Sequence, residues 1–300
     1  MVTAVATLTP GRVWWSAVRP ATLAASVSPV LAGTAIAVHE GGVRWGAGIG
    51  ALVVALAIQL GVNFSNDYSD FKRGADTPQR IGPVRAAASG VVAPDHVRWA
   101  AIGAFAVAGL VGLVVSALTD WRLLIAGAAC LLAAWLYTGG PRPYGYLGLG
   151  EVFVFVFFGL VATCGTVYVE VLHVTALAVL AGCALGFLAS AILVLNNLRD
   201  IDTDAAVGKR TLATRIGRTQ TRRLLLAITA AAFAMPVAAA ISQAGPLTVL
   251  FSLLALPVAF PPLAFAFTST GGPALVIALK RMAMTEMVFS LLFAMGVLVR

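Results

Sequence analysis

Nine apolar stretches follow one another along this chain, and each is long enough to cross a lipid bilayer as a helix. A spanning helix needs about 20 consecutive, mainly apolar residues. The stretches cover residues 20–38, 46–66, 98–118, 121–138, 150–170, 174–198, 224–243, 246–267 and 281–299. Because only helices and closed barrels satisfy their backbone hydrogen bonds in lipid, the pattern predicts an all-α, polytopic membrane protein with nine transmembrane helices.

The composition excludes a water-soluble protein. Hydrophobic residues make up 60% of the 300 and charged residues only 11%, whereas soluble domains carry about 25% charge. The net charge of +8 is compatible with nucleic-acid binding, but the basic residues are scattered between apolar stretches, so we expect no nucleic-acid partner. Little mass remains outside the bilayer, and the sequence is interpreted as one integral-membrane domain over residues 1–300.

The basic residues predict the orientation of the chain in the membrane. If the N-terminus is cytoplasmic, 17 of the 20 Lys and Arg residues fall on the cytoplasmic side, and Arg44, Arg122 and Arg300 fall on the other. Cytoplasmic loops of membrane proteins carry an excess of Lys and Arg. The distribution therefore predicts a cytoplasmic N-terminus and an external C-terminus.

Half of the 12 acidic residues lie in two short segments with a common pattern. Residues 63–76 contain N-x2-N-x3-D-x3-G, and residues 197–210 contain N-x2-D-x3-D-x3-G, at a constant offset of 134 positions. Each copy ends an even-numbered apolar stretch, so both lie on the cytoplasmic side and run in the same direction. This predicts two similar halves related by an axis along the bilayer normal.

The spacing within each motif favours a bound cation. Residues four apart share one helix face, so Asn66 with Asp70, and Asp200 with Asp204, each present two oxygen atoms in one direction. Carboxylates are disfavoured at helix C-termini, where the macrodipole is negative, and a cation offsets that repulsion. Oxygen ligands favour magnesium or calcium over zinc or copper.

Basic residues beside these acids indicate what the cation holds. Magnesium held by a few carboxylates and substrate phosphates is common in enzymes, and Arg and Lys add phosphate contacts. A diphosphate with an apolar tail, such as a prenyl diphosphate, fits a site that opens into the membrane. Two alternatives remain: exposed salt bridges in cytoplasmic loops, and a cation-coupled transporter, which would place acids nearer the bilayer midplane.

The motifs resemble those of the UbiA superfamily of intramembrane aromatic prenyltransferases. Four stretches carry the resemblance: RPATLAASVSPVLAGTA (19–35), NDYSDFKRGADTPQRIGPVR (66–85), YTGGPRPYGYLGLGE (137–151) and NNLRDIDTDAAVGKRTLA (196–213). The resemblance implies a bundle of nine helices around a central cavity open to lipid. It also implies Mg²⁺, with two ions bridging the diphosphate, held by Asn66, Asp70, Asp200 and Asp204.

Within the superfamily, the resemblance to the naphthoate branch implies the reaction. A polyprenyl group passes from a polyprenyl diphosphate to 1,4-dihydroxy-2-naphthoate with loss of the carboxyl group, giving demethylmenaquinol for menaquinone biosynthesis. A 4-hydroxybenzoate, homogentisate or tetrapyrrole acceptor is the alternative. The expected location is a bacterial inner membrane with the site facing the cytoplasm, and the sequence leaves the oligomeric state open.

Further residues receive expected roles from this scheme. Asp67 or Asp76 would assist deprotonation of the acceptor hydroxyl, and Tyr68, Tyr137 and Tyr146 would stabilise an allylic carbocation or anchor the chain at the interface. Segment 137–151 would cap the site or form a plain loop. The expected diphosphate contacts are Lys72, Arg85, Arg142, Arg199, Lys209 and Arg210. The expected polar or structural residues beside the substrate are Asn63, Asn196 and Asn197.

Overall fold

The structure, a computed structural model, describes residues 9–76, 82–269 and 272–299, and every regular element within these ranges is helical. The predicted all-α class therefore holds for the described residues. Residues 77–81, which belong to the 66–85 stretch, lie outside them, as do the first eight residues, residues 270–271 and residue 300.

The first half of the chain contains seven α-helices. They are α1 (Pro10–Val18), α2 (Ala24–His39), α3 (Trp45–Lys72), α4 (Pro94–Leu118), α5 (Leu123–Leu136), α6 (Gly150–Val154) and α7 (Ala162–Val171). Pro20–Leu23 and Tyr144–Leu147 form 3₁₀ turns, and a π-helical segment, Phe155–Val161, joins α6 to α7.

The second half contains four longer helices and one 3₁₀ helix. The α-helices are α8 (Ala176–Ala206), α9 (Leu212–Ile241), α10 (Leu256–Thr268) and α11 (Gly272–Leu298). The predicted span 246–267 is divided, because Leu247–Ala255 is 3₁₀ and α10 begins beside Pro257. Proline is tolerated at the start of an α-helix, where its missing N–H has no partner to lose.

Seven helical segments among the described residues are long and apolar enough to cross a membrane. They start at Pro10, Trp45, Pro94, Gly150, Ala176, Leu212 and Leu247. Of the other two predicted spans, 121–138 corresponds to α5, which has only 14 residues. The span 281–299 corresponds to the second part of α11, in which 13 of 27 residues are buried. The coarser prediction of a polytopic helical membrane protein is confirmed, while nine spans and their orientation remain predictions.

The two acidic motifs end their helices in the same way. Asn66 and Asp70 lie in the last turns of α3, and Asp200 and Asp204 occupy the same register in α8. The glycine that follows each motif has a left-handed backbone, with φ of +68° at Gly74 and +74° at Gly208. Equivalent backbone bonds then run from Ala75 N–H to the Asp70 carbonyl and from Lys209 N–H to the Asp204 carbonyl, at 2.8 and 2.9 Å. The N-x3-D-x3-G spacing thus matches a shared helix C-terminus.

Glycines hold α8 closely against the π-helical segment. A β-carbon added to Gly159 would lie 2.3 Å from the Cα atom of Gly186, and one added to Gly186 would lie 2.7 Å from the Phe155 carbonyl oxygen. Small residues allow such backbone approach in membrane bundles. The remaining faces of α8 pack with α2, α7, α9 and α11 around a continuous apolar core. The second acidic motif is therefore carried by a rigid, largely buried helix.

Candidate active site

Asp70 in the first motif is held by two side chains from different segments. Its carboxylate is 4% exposed and accepts bonds from Arg85 Nη2 at 3.0 Å and the Tyr146 hydroxyl at 2.8 Å. Arg85 also places its Nε atom 3.2 Å from Asp76 Oδ1. The predicted diphosphate contact Arg85 therefore links Asp70, a predicted metal ligand, to Asp76, a predicted base.

Asn66, one helical turn before Asp70, faces the segment between α5 and α6. Its side-chain oxygen accepts a 2.7 Å bond from Thr138 Oγ1, and both side chains are buried. Thr138 carries no role in the sequence interpretation, although it lies within the 137–151 stretch. Its position shows that this stretch reaches the first motif.

The second motif contains a close pair between adjacent residues. Arg199 Nε and Nη2 donate to the two oxygens of Asp200 at 2.7 and 2.5 Å, and Nη2 also donates to Asn196 Oδ1 at 2.9 Å. Asp204 lies one helical turn after Asp200, and its Oδ1 atom is 3.7 Å from Lys209 Nζ. Each predicted carboxylate ligand is thus paired with a predicted diphosphate contact, and Asn196 orients one of those contacts.

Tyr146 joins the two motifs. Lys209 Nζ lies 5.0 Å from the centre of its ring and the Arg73 guanidinium 5.3 Å, while its hydroxyl donates to Asp70. The backbone N–H of Arg210 donates to the Tyr146 carbonyl oxygen at 3.2 Å. Burial and the Asp70 carboxylate raise the pKa of Tyr146 above its ordinary value of 10, so the hydroxyl stays a neutral donor.

Segment 137–151 therefore spans both motifs. A 3₁₀ turn, Tyr144–Leu147, places Tyr146, and Gly145 packs against the Tyr137 carbonyl so closely that an added β-carbon would lie 2.7 Å away. Arg142, in contrast, is exposed, and no contact brings it to the acidic residues within the described part of the chain.

Two predicted site residues, Asp67 and Asn63, form hydrogen bonds with backbone groups. Asp67 is fully buried, and its oxygens accept from the N–H groups of Ala86 and Ala87 at 2.8 and 3.2 Å. Both acceptor atoms are engaged and no surface faces a substrate, so this geometry contradicts the role of base. Asp67 holds the segment that brings Arg85 to Asp70. Asn63 donates to the Val18 carbonyl oxygen at 2.9 Å and ties α3 to the end of α1.

Tyr68 and Lys72 lie on another face of α3. Lys72 Nζ lies 5.8 Å from the Tyr68 ring centre, and both residues line a separate cavity with Arg98. Lys72 follows Asp70 by two residues, about 200° around a helix with 3.6 residues per turn. Lys72 and Tyr68 therefore lie within the first motif but not on the helix face that carries Asn66 and Asp70, which differs from the arrangement that the sequence predicts.

Glu151 is a polar residue of the site that sequence reasoning missed. It is buried at the start of α6, and its Oε1 atom accepts a 2.8 Å bond from Nδ2 of Asn197, the first residue of the second motif. The available signal was an isolated acid at the head of an apolar span, because such residues are costly in lipid and usually functional or paired. Asn197 therefore positions Glu151.

An apolar cavity of about 400 Å³ lies among α2 to α7. Tyr137 and Tyr144 line it at the end nearest segment 137–151, and Phe153 and Phe157 continue the aromatic surface. Neighbouring ring centres along this series are 5.4, 3.9 and 5.9 Å apart. The cavity lies within the first half of the chain and is not a central space between the halves, because no residue of α8 to α11 lines it.

The predicted metal ligands offer the right atoms for magnesium in a paired arrangement. Asn66, Asp70, Asp200 and Asp204 supply amide and carboxylate oxygens, which suit a hard divalent cation. Among the described residues, no three acidic, His or Cys side chains are gathered as a metal cluster. The donor chemistry fits magnesium, and Arg85, Arg199 and Lys209 pair with the carboxylates.

Comparison with known proteins finds one matching protein family and several similar bacterial sequences. The model of the UbiA prenyltransferase family matches residues 26–274. A Mycobacterium tuberculosis protein named 1,4-dihydroxy-2-naphthoate octaprenyltransferase is 41% identical, covering 94% of this chain and 95% of its own. A Haemophilus influenzae protein of the same name is 34% identical and covers 96% of each chain.

Solved structures share the fold at low sequence identity. A UbiA homologue from Aeropyrum pernix superposes with a TM-score of 0.67 at 14% identity, covering 93% of this chain and 97% of its own. One from Archaeoglobus fulgidus, bound to DMAPP and Mg²⁺, gives 0.62 at 12% identity and covers 95% and 99%. With a family model over most of its length and relatives above 30% identity, the chain belongs to the UbiA prenyltransferase family.

Proposed function

We propose that this protein transfers a polyprenyl group from a polyprenyl diphosphate to 1,4-dihydroxy-2-naphthoate, with loss of the carboxyl group, to give demethylmenaquinol for menaquinone biosynthesis. The names of the bacterial relatives support the acceptor and the prenyl donor. The observation that carries the proposal is the meeting of both acidic motifs at Tyr146, above an aromatic-lined cavity. Family membership also argues against the transporter alternative.

The two parts of the prenyl donor match two parts of the site. The cavity is lined almost entirely by apolar residues and suits a hydrocarbon chain, whose transfer from water is favoured by about 0.8 kcal/mol for each buried CH₂ group. Tyr137 and Tyr144, at the polar end of the cavity, lie between the tail region and the acidic motifs. The carbon that reacts would therefore sit beside these two rings.

Magnesium would be held by Asn66, Asp70, Asp200 and Asp204, and two ions bridging the diphosphate are part of the proposal. When bound, the metal supplies Lewis-acid stabilisation of the charge that grows on the leaving diphosphate. A homologue of the same fold is described as bound to DMAPP and Mg²⁺. The shared helix ends after Asp70 and Asp204 support equivalent roles for the two motifs.

The chain's own cations have two tasks in this scheme. Arg85, Arg199 and Lys209 pair with Asp70, Asp200 and Asp204. The same side chains would hydrogen-bond phosphate oxygens of a diphosphate held beside those carboxylates. The backbone N–H of Arg210 bonds to the Tyr146 carbonyl oxygen, and the Arg210 side chain adds positive charge at this edge of the site.

Aromatic rings stabilise the positive charge at the reacting end of the prenyl group. Tyr137 and Tyr144 line the end of the cavity, where the quadrupole of an aromatic ring would attract a positive carbon. Burial raises the pKa of the Tyr144 hydroxyl, so this ring remains neutral. Because the acceptor loses its carboxyl group instead of a ring proton, the reaction needs no strong base at the ring carbon, in keeping with the structural role of Asp67.

We further propose nine spans, a cytoplasmic N-terminus and a bacterial inner-membrane location. The distribution of 17 basic residues to one side supports this orientation. The acidic motifs then face the cytoplasm, where a charged diphosphate and a water-soluble acceptor are available. Cysteine labelling of loop positions, such as residues 41 and 142, in intact cells tests the assignment: position 142 should be protected and position 41 labelled.

Product analysis tests the proposed reaction. Purified protein with magnesium, dihydroxynaphthoate and an isotope-labelled polyprenyl diphosphate should yield the prenylated, decarboxylated product by mass spectrometry. Chelation should abolish product and added magnesium should restore it.

Asp70→Ala, Asp200→Ala and Asp204→Ala should each lower turnover at least about 100-fold. Asp202→Asn is the matched control, because Asp202 is exposed and pairs with Arg218 at 2.6 Å. Product formed equally well by the three Ala variants would refute the site.

A further inference from the structure

A second cavity, about 320 Å³ in volume, lies at the same end of the bundle as the acidic motifs. It is bounded by the end of α3, the start of α4 and the residues that end α5. Its lining includes Lys72, Arg73, Arg98, Ser65, Tyr68 and Trp135. We refer to it as the α3–α4 cavity.

The α3–α4 cavity is separate from the acidic site. Ser65, Ser69 and Lys72 recur at helical spacing on one face of α3, whereas Asp70 lies on another face, two residues before Lys72. Arg73 stands between the two sites. It lines the cavity, donates a 2.6 Å bond to the Gly140 carbonyl oxygen and covers the Tyr146 ring.

The charge of the α3–α4 cavity selects for an anion. Three cations line it and its lining contains no Asp or Glu. Across the described parts of the chain, Lys72 and Arg98 form no ion pair, whereas Arg85, Arg199 and Lys209 each face a carboxylate. The hydroxyls of Ser65 and Ser69 add hydrogen-bond donors. Two lysine or arginine cations beside neutral donors match the oxygens of a phosphate group.

The surroundings favour a phosphate that belongs to a lipid. Trp135 is 46% exposed at the cavity, and α4 displays Leu110 and Leu113 with 65% and 53% exposure further along its length. Tryptophan gathers at membrane interfaces, and the exposed leucines are suited to acyl chains. Basic pockets between helices at the cytoplasmic surface recognise anionic headgroups. We propose that the α3–α4 cavity binds the phosphate of an anionic phospholipid.

Native mass spectrometry of the full-length protein tests this proposal. The purified protein is titrated with phosphatidylglycerol, and separately with phosphatidylcholine, and the fraction carrying one lipid is measured. Each cation near the surface is worth about fivefold in affinity, so Lys72→Gln with Arg98→Gln should weaken phosphatidylglycerol binding about 25-fold. The charge-preserving pair Lys72→Arg with Arg98→Lys should retain most of the binding.

A matched charge control completes the experiment. Arg12 and Arg223 are exposed and neither lines the α3–α4 cavity, so Arg12→Gln with Arg223→Gln removes the same charge and should leave lipid binding unchanged. Equal loss in both glutamine pairs, or no loss in the Lys72 and Arg98 pair, overturns the proposal. Inorganic pyrophosphate serves as the free-anion probe. If it binds through Lys72 and Arg98 while phosphatidylglycerol shows no preference over phosphatidylcholine, the lipid assignment is overturned in favour of a free phosphate. Melting curves of every variant confirm that the compared proteins are folded.

Discussion

The hydroxyl of Tyr146 donates a 2.8 Å hydrogen bond to Asp70, although the two residues are 76 positions apart in the sequence. The same tyrosine ring lies 5.0 Å from Lys209 Nζ, and Lys209 pairs with Asp204 of the second motif. One side chain therefore connects two acidic motifs that lie 134 positions apart in the sequence. The 3₁₀ turn that carries Tyr146 is thus a structural part of the site.

Replacing Tyr146 by Phe removes the hydroxyl and keeps the ring, so the variant tests the contribution of the hydrogen bond alone. The variant keeps the aromatic face for Lys209 and Arg73 but removes the hydroxyl donor to Asp70 Oδ1, while Arg85 still donates to Oδ2. Bonds to charged groups contribute about 1.5–3 kcal/mol, so we expect kcat/KM to fall about tenfold or more. Tyr146→Ala, which also removes the ring, should lose more. Steady-state prenyl transfer across a magnesium titration measures both effects.

The chain contains a matched control for this experiment. Tyr168 donates a similar bond, 2.5 Å long, to Asp120, which lies in the turn between α4 and α5 at the opposite end of the bundle. Tyr168→Phe removes the same kind of bond and should leave turnover unchanged. If the two Phe variants have equal activity, the Tyr146 hydroxyl has no role in the reaction.

Asp67 gives a prediction about stability. Asparagine offers one acceptor oxygen where the carboxylate offers two, so Asp67→Asn leaves one backbone N–H at Ala86 or Ala87 without a partner. A buried unsatisfied donor costs about 1–3 kcal/mol, and the melting temperature should fall by about 5 °C. The exposed control Asp202→Asn should melt like the wild type. Normal melting together with complete loss of turnover would instead support a catalytic base.

The acidic motifs were predictable because their geometry is local. Helical spacing alone places Asn66 with Asp70 and Asp200 with Asp204, and the glycines at 74 and 208 mark the helix ends. The same spacing also places Lys72 on another face from Asp70, so its assignment to the diphosphate gave too much weight to proximity in sequence. The position of Arg85 depends on how Asp67 anchors residues 86 and 87, which is a tertiary contact.

Other parts of the site depend on contacts across the fold and have no local signal. Glu151 meets Asn197 across two helices, and Thr138 meets Asn66 over 72 positions. A single sequence shows neither pairing. The location of the apolar cavity was also not predictable, because the motif repeat suggested a symmetric interface whereas the lining comes from α2 to α7 alone.

The Glu151–Asn197 bond should be required for the second motif to keep its position. Asn197→Leu leaves Oε1 of buried Glu151 without its donor, so we expect lower stability by about 1–3 kcal/mol and a loss of turnover. Adding Glu151→Leu removes both polar groups and should recover much of the stability, because no buried polar atom of this pair is then left unpaired. A double-mutant cycle on melting temperature measures the coupling, and additive effects would show that the bond is not important.

Close packing between α8 and the π-helical segment should be sensitive to a single methyl group. Gly159→Ala would place a β-carbon 2.3 Å from the Gly186 Cα atom, where neither backbone has room to yield. Overpacking of this kind costs about 1–3 kcal/mol, and displacement of α8 would also shift Asp200 and Asp204. Gly103→Ala in α4 is the matched control, because an added β-carbon there meets nothing within 4 Å and Gly103 lines neither cavity. We expect Gly159→Ala to reduce both melting temperature and magnesium-dependent turnover, and Gly103→Ala to change neither. Equal behaviour of the two variants would mean that α8 can move without cost to the site.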